Sequence, residues 1–272
     1  PAAIIHDPKI ACLATKHAAN TACQTIDLAA LRDMRHAPPA AYLYGDPNRL
    51  AYIVYTSGTS GTPRAVMHAH RVIWARQMMG PDWTDIHSTD RLLHAGAFNW
   101  TYTLGTGLLD PWRCGATAII SETLGDVASL RQLLDQHEIT IFAAAPGVFR
   151  KILTDETVLK LPKLRHALSA GEKMPDRLQK AWRATTGCPV YEAYGMSECS
   201  TFISASPAHP ARPGTLGRPQ TGRRVAIVDA DGPVAVGTQG MIAVSRHDQG
   251  LMLGYRHENG ALRRLVADEW FV

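Results

Sequence analysis

Asp126-Val-Ala-Ser-Leu-Arg-Gln-Leu-Leu-Asp-Gln-His-Glu-Ile-Thr-Ile-Phe-Ala-Ala-Ala-Pro146 is the stretch on which the fold turns. In its first part, Asp126 to His137, Val127, Leu130, Leu133 and Leu134 form the apolar stripe of an amphipathic helix. Its second part, Ile139 to Ala145, is an apolar run of strand length that ends at Pro146. A helix running straight into a short apolar strand is the repeating unit of a largely parallel α/β sheet.

The same alternation extends in both directions. Ala51 to Thr56, Arg91 to Ala95, Ala116 to Ile120, Leu164 to Ser169 and Val190 to Tyr194 read as further strands. A second helix runs from Pro175 to Thr186, with Leu178, Ala181 and Trp182 at helical spacing and the proline in the first turn. After about Gly217 the pattern changes. Arg223 to Val228, an Asp-Ala-Asp-Gly turn, Val234 to Val236 and Met241 to Ser245 read as short antiparallel strands with no helix between them. The expected organisation is an α/β core over residues 1–216 and a small β-subdomain over 217–272.

Composition excludes several classes. The chain has 272 residues, 46% of them hydrophobic, enough to bury a sizeable core. Its net charge of +4 comes from scattered basic residues, too diffuse for a nucleic-acid face. The longest nearly apolar run, Ile139 to Phe149, is shorter than the roughly 18 residues of a membrane span. Five cysteines, at 12, 23, 114, 188 and 199, form no C-x-x-C pair and suit a reducing cytoplasm better than a disulfide framework or a zinc site. The chain opens at Pro1 with no initiator Met and no signal-peptide pattern, as a sequence entered in its middle does.

The segment richest in chemistry is Tyr52-Ile-Val-Tyr-Thr-Ser-Gly-Thr-Ser-Gly-Thr-Pro-Arg64, a strand ending in glycines, serines and threonines. Glycines let the backbone approach a ligand, and peptide N–H groups and hydroxyls can wrap polyphosphate oxygens. The spacing differs from G-x-x-x-x-G-K-[ST], and Pro63 argues against immediate continuation into a helix. A plain Ser/Thr/Gly turn is the other reading of these residues.

Thr56-Ser-Gly-Thr-Ser-Gly-Thr-Pro-Arg64 resembles the signature loop of the adenylate-forming superfamily of acyl- and aryl-CoA ligases, luciferases and peptide-synthetase adenylation domains. Arg64 and Ala65 stand where that family usually has Lys and Gly, and Arg keeps the charge but not the shape. Further segments resemble the family in order. They are Ala144-Ala-Pro146, Ser169-Ala-Gly-Glu172, Tyr191-Glu-Ala-Tyr-Gly-Met-Ser-Glu198 and Leu216-Gly-Arg-Pro219. Val66-Met-His-Ala-His70 together with Ser169 to Glu172 is most similar to benzoate-type CoA ligases, a hint at an aromatic acid.

The resemblance implies ATP-dependent activation of a carboxylic acid as acyl-AMP, followed by thioester formation with CoA. Loading of a carrier protein, or nucleotide binding without turnover, are the alternatives. It implies that Thr56, Ser57, Gly58, Thr59, Ser60, Gly61 and Arg64 hold the phosphates, and that Gly171, Glu172, Tyr194, Gly195 and Ser197 form the nucleotide site. Tyr194 can stack on a purine and Gly195 allows close approach. Glu198 is the candidate Mg²⁺ ligand, since Mg²⁺ takes few, hard protein oxygens. Asn99 and Trp100 lie where the family lines its acid pocket; a core tryptophan is the other meaning of Trp100. The implied small-molecule partners are therefore ATP, Mg²⁺, CoA and a carboxylic acid. In the family the run ending Asp268-Glu-Trp-Phe-Val272 is followed by a ribose-binding Asp, a hinge and a mobile domain carrying a catalytic lysine. On that likeness the chain is a fragment, inactive by itself, cut at both ends.

Two further readings compete. A serine hydrolase needs G-x-S-x-G, and Gly195-Met-Ser-Glu-Cys199 lacks the second glycine. His68-Ala-His70 could start a metal site, but no closing ligands stand at a recognised spacing.

Overall fold

The computed structural model describes residues 2–56, 63–121, 126–154, 159, 161–256 and 265–272. The chain forms two compact units, Pro1–Gly45 and Asp46–Val272.

In the first unit, β1 (Ala3–His6) pairs in parallel with β2 (Gln24–Asp27), and the helix Ala11–Thr21 crosses between them. Asp27 ends β2 and caps the next helix, Leu28–Asp33, by accepting from Ala30 N at 2.8 Å.

The second unit begins with an antiparallel pair, β3 (Leu50–Thr56) and β4 (Arg64–Ala69). The sequence reading placed Ala51 to Thr56 in the parallel alternation. Instead, a strand rather than a helix follows Pro63, so the chain doubles back on itself. His68 and Arg64 interrupt the apolar pattern of this return strand, so its sequence carries no clear strand periodicity.

The central sheet contains β5 (Arg91–His94), β6 (Thr117–Ile119), β7 (Ile141–Ala144), β8 (His166–Ala170), β9 (Val190–Met196), β10 (Ser200–Ser204) and β11 (Arg218–Pro219). Their spatial order is β11-β10-β9-β8-β7-β5-β6. The five strands β5 to β9 are parallel, and β10 and β11 return antiparallel. Strands β7 and β8 are buried on both faces, and β7 therefore reads as an unbroken apolar run, while β8 also buries His166 and Ser169.

Successive side chains of β7 serve opposite layers. Phe142 and Ala144 pack with Leu130, Leu134, Phe149 and Trp182 from the helices Val127–Gln136, Pro146–Thr154 and Asp176–Thr186. Phe142 stacks on Trp182 with centroids 5.7 Å apart, and Phe149 meets Trp182 edge-on at 4.9 Å. Ile141 and Ala143 pack on the other face against Met79, Trp83 and Tyr102. Both helices expected from the sequence are present, with ends trimmed by a residue or two. The expected strands of the central sheet are likewise present: three are trimmed at their ends, Leu164 to Ser169 becomes His166–Ala170, and Val190 to Tyr194 extends to Met196.

Beyond the central sheet, β12 (Val225–Val228) and β13 (Met241–Ser245) pair antiparallel. The strand β14 (Gly254–Tyr255) leaves this region to pair with β4. β15 (Leu265–Val266) and β16 (Trp270–Phe271) complete a four-stranded antiparallel sheet in the order β12-β13-β16-β15. Val234 to Val236, expected as a strand, forms none; an isolated bridge pairs Val228 with Pro233 just before it, and Val236 is fully exposed. Pro233 has no N–H for a ladder, and Gly237 turns the chain at φ 93°.

Candidate active site

In an open parallel sheet, ligands bind beyond the carboxyl ends of the strands. Here those ends carry the singled-out segments: Gly96 to Trp100 after β5, Pro146-Gly147 after β7, Gly171-Glu172 after β8 and Ser197-Glu198 after β9.

Two glycines shape what these ends can hold. Gly171 has φ +97°, and a Cβ there would lie 2.7 Å from the Trp100 ring, so only glycine lets the indole rest on the end of β8. A Cβ on Gly195 would strike the Ser200 carbonyl across the β9–β10 turn. On one side of this pair lies a cleft of ≈ 200 Å³, lined by Trp100, Tyr102, Gly171, Gly195, Ser197 and Ser200 among others. On the other lies a cleft of ≈ 300 Å³, lined by Gly171, Glu172, Glu192, Tyr194, Gly195 and Leu216 among others. Gly171 and Gly195 belong to both, so the two clefts adjoin.

The residues around the clefts are held by specific contacts. Glu172 Oε1 accepts from Gly147 N at 3.3 Å, which ties the segment after β8 to the proline turn after β7. Tyr194 meets Phe202 edge-on with centroids 5.5 Å apart. Glu192, raised in pKa by burial, accepts from Met174 N at 2.9 Å. Asn99 is exposed in the turn before Trp100 and does not line either cleft.

Thr56 and Arg64 face each other across the β3–β4 ladder, at the two ends of the glycine-rich loop. Ser57, Gly58, Thr59, Ser60 and Gly61 lie outside the described residues. Arg64 lies over the Tyr255 ring, 3.4 Å from its centroid, and the Tyr255 hydroxyl donates to Glu198 Oε1. No hydrogen bond from a described residue reaches Glu198 Oε2. A single half-buried carboxylate suits Mg²⁺ carried on phosphate, which keeps most of its ligands as water and phosphate oxygen. Among the described residues no three His, Cys, Asp or Glu side chains gather to cage a metal, and no helix is long and apolar enough to cross a membrane. The two members of His68-Ala-His70 part company: His68 is sealed inside, stacked on Tyr52 at 4.8 Å, and His70 is exposed. Burial pushes the His68 pKa down to about 4.

Sequence reasoning missed the residues that brace the first cleft. Arg76 is buried and gives Nε and Nη2 to the two oxygens of Asp110, both at 2.7 Å, and Nη1 to Ser200 Oγ at 2.7 Å. Burial alone would lower the Arg76 pKa; the Asp110 carboxylate outweighs it and holds the guanidinium charged. A Cβ on Gly105 would collide with that guanidinium. Partners this far apart along the chain leave no periodic signal. Tyr255 escaped for the same reason.

The sequence pattern of the AMP-binding enzymes matches residues 6–256. A 3-hydroxybenzoate–CoA ligase of Aromatoleum sp. (strain CIB) is 30% identical over 229 residues, covering 83% of this chain and 43% of that protein. A 3-hydroxybenzoate–CoA/4-hydroxybenzoate–CoA ligase of Thauera aromatica is 28% identical over the same shares. The chain thus spans less than half the length of these curated relatives. The crystal structure of the anthranilate CoA ligase AuaEII in complex with anthranoyl-AMP superposes with a TM-score of 0.90 at 24% identity, covering 100% of this chain and 55% of that one, a likeness of fold. With the motifs in family order and the family pattern running through nearly the whole sequence, the chain belongs to the AMP-binding enzyme family.

Proposed function

We propose that the full-length protein uses ATP to activate a carboxylic acid, of the aromatic class, as its acyl-AMP, and then passes the acyl group to the thiol of CoA. The observation that carries this reading is the pair of adjoining clefts meeting at Gly171 and Gly195. One is walled by aromatic side chains, as an aryl group requires, and the other runs between Tyr194 and the β8 end, as a flat base requires. The hydroxybenzoate–CoA ligases among the relatives support the aromatic class.

In the first step a carboxylate oxygen bonds to the α-phosphorus of ATP and pyrophosphate leaves. In the second the thiolate sulfur bonds to the acyl carbon and AMP leaves. Both reactants of the first step are anions, so the protein's task is to position them and offset their repulsion. Tyr194, Gly171, Glu172 and Gly195 frame the adenine. Trp100 walls the acid, with Asn99 at the exposed end of the same turn and Ser197 lining the same cleft as Trp100. Thr56 to Gly61 and Arg64 hold the outer phosphates. Glu198 is the protein ligand for Mg²⁺, which when bound neutralises phosphate charge.

The test is acid-dependent pyrophosphate release by the full-length protein, screened over benzoate, hydroxybenzoates, aminobenzoates and short-chain acids, with and without CoA. Release that requires an aromatic acid, with thioester formed only when CoA is present, is the expected result. Release independent of added acid would overturn it. Glu198→Gln should depress release strongly and raise the Mg²⁺ requirement.

A further inference from the structure

β14 is two residues long, yet it joins two parts of the site. Gly254 faces Met67 and Tyr255 faces Val66 across an antiparallel pairing with β4. Backbone bonds on either side extend the pairing: Leu253 N donates to Met67 O at 2.8 Å and Arg256 N to Ala65 O at 2.9 Å. One residue upstream, Met252 N donates to the Glu198 carbonyl at 2.7 Å. The strand is therefore stitched both to the end of the glycine-rich loop and to the turn that carries Glu198. Gly254 has φ +141°, a conformation that side-chain-bearing residues rarely adopt, so the approach of β14 to β4 depends on it.

Tyr255 stands at this junction, 5% exposed. Its hydroxyl donates to Glu198 Oε1, and its ring face lies under the Arg64 guanidinium. One side chain thus touches the candidate metal carboxylate and the candidate phosphate cation, by two different kinds of contact.

We propose that Tyr255 is a positioning residue with two separable actions, resting on the assignment of Glu198 to Mg²⁺ and of Arg64 to phosphate. The phenol occupies one carboxylate oxygen, fixing the side chain so that Glu198 meets Mg²⁺ through the other. The ring face holds Arg64 at the mouth of the loop through a cation–π contact. The hydroxyl serves the metal and the ring serves the phosphates.

Tyr255→Phe removes the first action and keeps the second; Tyr255→Leu removes both. In the full-length protein, ATP binding is measured by calorimetry with and without Mg²⁺, alongside the half-saturating Mg²⁺ in pyrophosphate–ATP exchange. Tyr255→Phe should bind metal-free ATP like the parent, while the gain in affinity conferred by Mg²⁺ shrinks and half-saturating Mg²⁺ rises about ten- to a hundredfold, the scale of one hydrogen bond to a charged group. Tyr255→Leu should in addition weaken metal-free ATP binding. In a Glu198→Gln background, Tyr255→Phe should add nothing to the Mg²⁺ effect. A Tyr255→Phe protein with parental Mg²⁺ dependence, or additive effects of the two substitutions, overturns the proposal while leaving Glu198 in place. Parental Mg²⁺ dependence in Glu198→Gln itself overturns the metal assignment and the proposal with it.

Discussion

The second unit is held together along two seams made of opposite materials. Beneath the helices Val127–Gln136, Pro146–Thr154 and Asp176–Thr186 the contact is apolar: Phe142, Phe149 and Trp182 interlock over Leu130 and Leu134. At the start of β10, beside the apolar packing of Phe202 and Ile203, two buried ion pairs hold the strand. Arg76 grips Asp110 and Ser200 at its start, and Arg223 reaches Asp248 and the Thr201 carbonyl one residue on. An apolar seam stabilises in proportion to the area it hides and tolerates swaps of similar volume. An ionic seam adds little net stability over an apolar one, but it fixes which atoms meet, because a charge left alone in the interior is strongly unfavourable. The clefts lie beside the ionic seam, where placement matters more than area.

Removing half of an ion pair should give the largest effect. Asp110→Ala strands the Arg76 guanidinium and should lower unfolding free energy by about 3–5 kcal/mol. The double variant Arg76→Met, Asp110→Leu should recover most of that, read by urea denaturation. Trp182→Ala in the apolar seam should also cost about 3–5 kcal/mol, through the cavity it leaves. If the double variant is as unstable as Asp110→Ala, the ionic seam contributes stability in its own right and the contrast fails.

Acid should sharpen the comparison with a smaller effect. Burial pushes the pKa of His94 down to about 3, and burial does the same to His68 and His166, each to about 4. These residues are neutral when folded and take a proton on unfolding below about pH 6.5, the ordinary histidine value. Their contribution is therefore complete above about pH 6.5 and falls as the pH drops towards 4, by about 1.4 kcal/mol per pH unit for each. Denaturation at pH 7, 6 and 5 should show the decline. His94→Asn, which keeps an acceptor near Gly96 N, should flatten it by one proton's worth. An unchanged slope would mean that His94 already titrates alike in both states.

The smallest effect belongs to the rim of the apolar seam. Asp126 accepts from Ala128 N and Ser129 N, both at 3.2 Å, and so caps the helix Val127–Gln136. Asp126→Ala should cost about 1 kcal/mol in the same assay, with no change in nucleotide binding. A loss several times larger would show that the helix end carries tertiary load as well.

Much of the apolar seam could be read directly. Val127, Leu130 and Leu134 repeat at helical spacing, and Ile141 to Ala144 is an unbroken apolar run because both faces of β7 are covered. The order of glycine-rich and acidic segments was legible too, since each lies within a few residues of a strand end. The β3–β4 hairpin was misplaced: a strand taken alone looks the same whether its partner runs parallel or antiparallel. Val234 to Val236 was overread, because three valine and alanine residues match strand propensity while Pro233 denies them a ladder.

By itself, then, the sequence determined the strands of the parallel core, the two helices Val127–Gln136 and Asp176–Thr186, and which strand ends carry the chemistry-bearing residues, because periodicity and turn chemistry act within one or two turns of chain. The tertiary structure alone decided that Gly171 and Gly195 meet to join two clefts, that Arg76 finds Asp110 and Ser200, and that Tyr255 lies between Arg64 and Glu198. Those partners are tens to more than a hundred residues apart. Their pairing is set by strand order and register in the folded sheet, for which local propensity carries no signal.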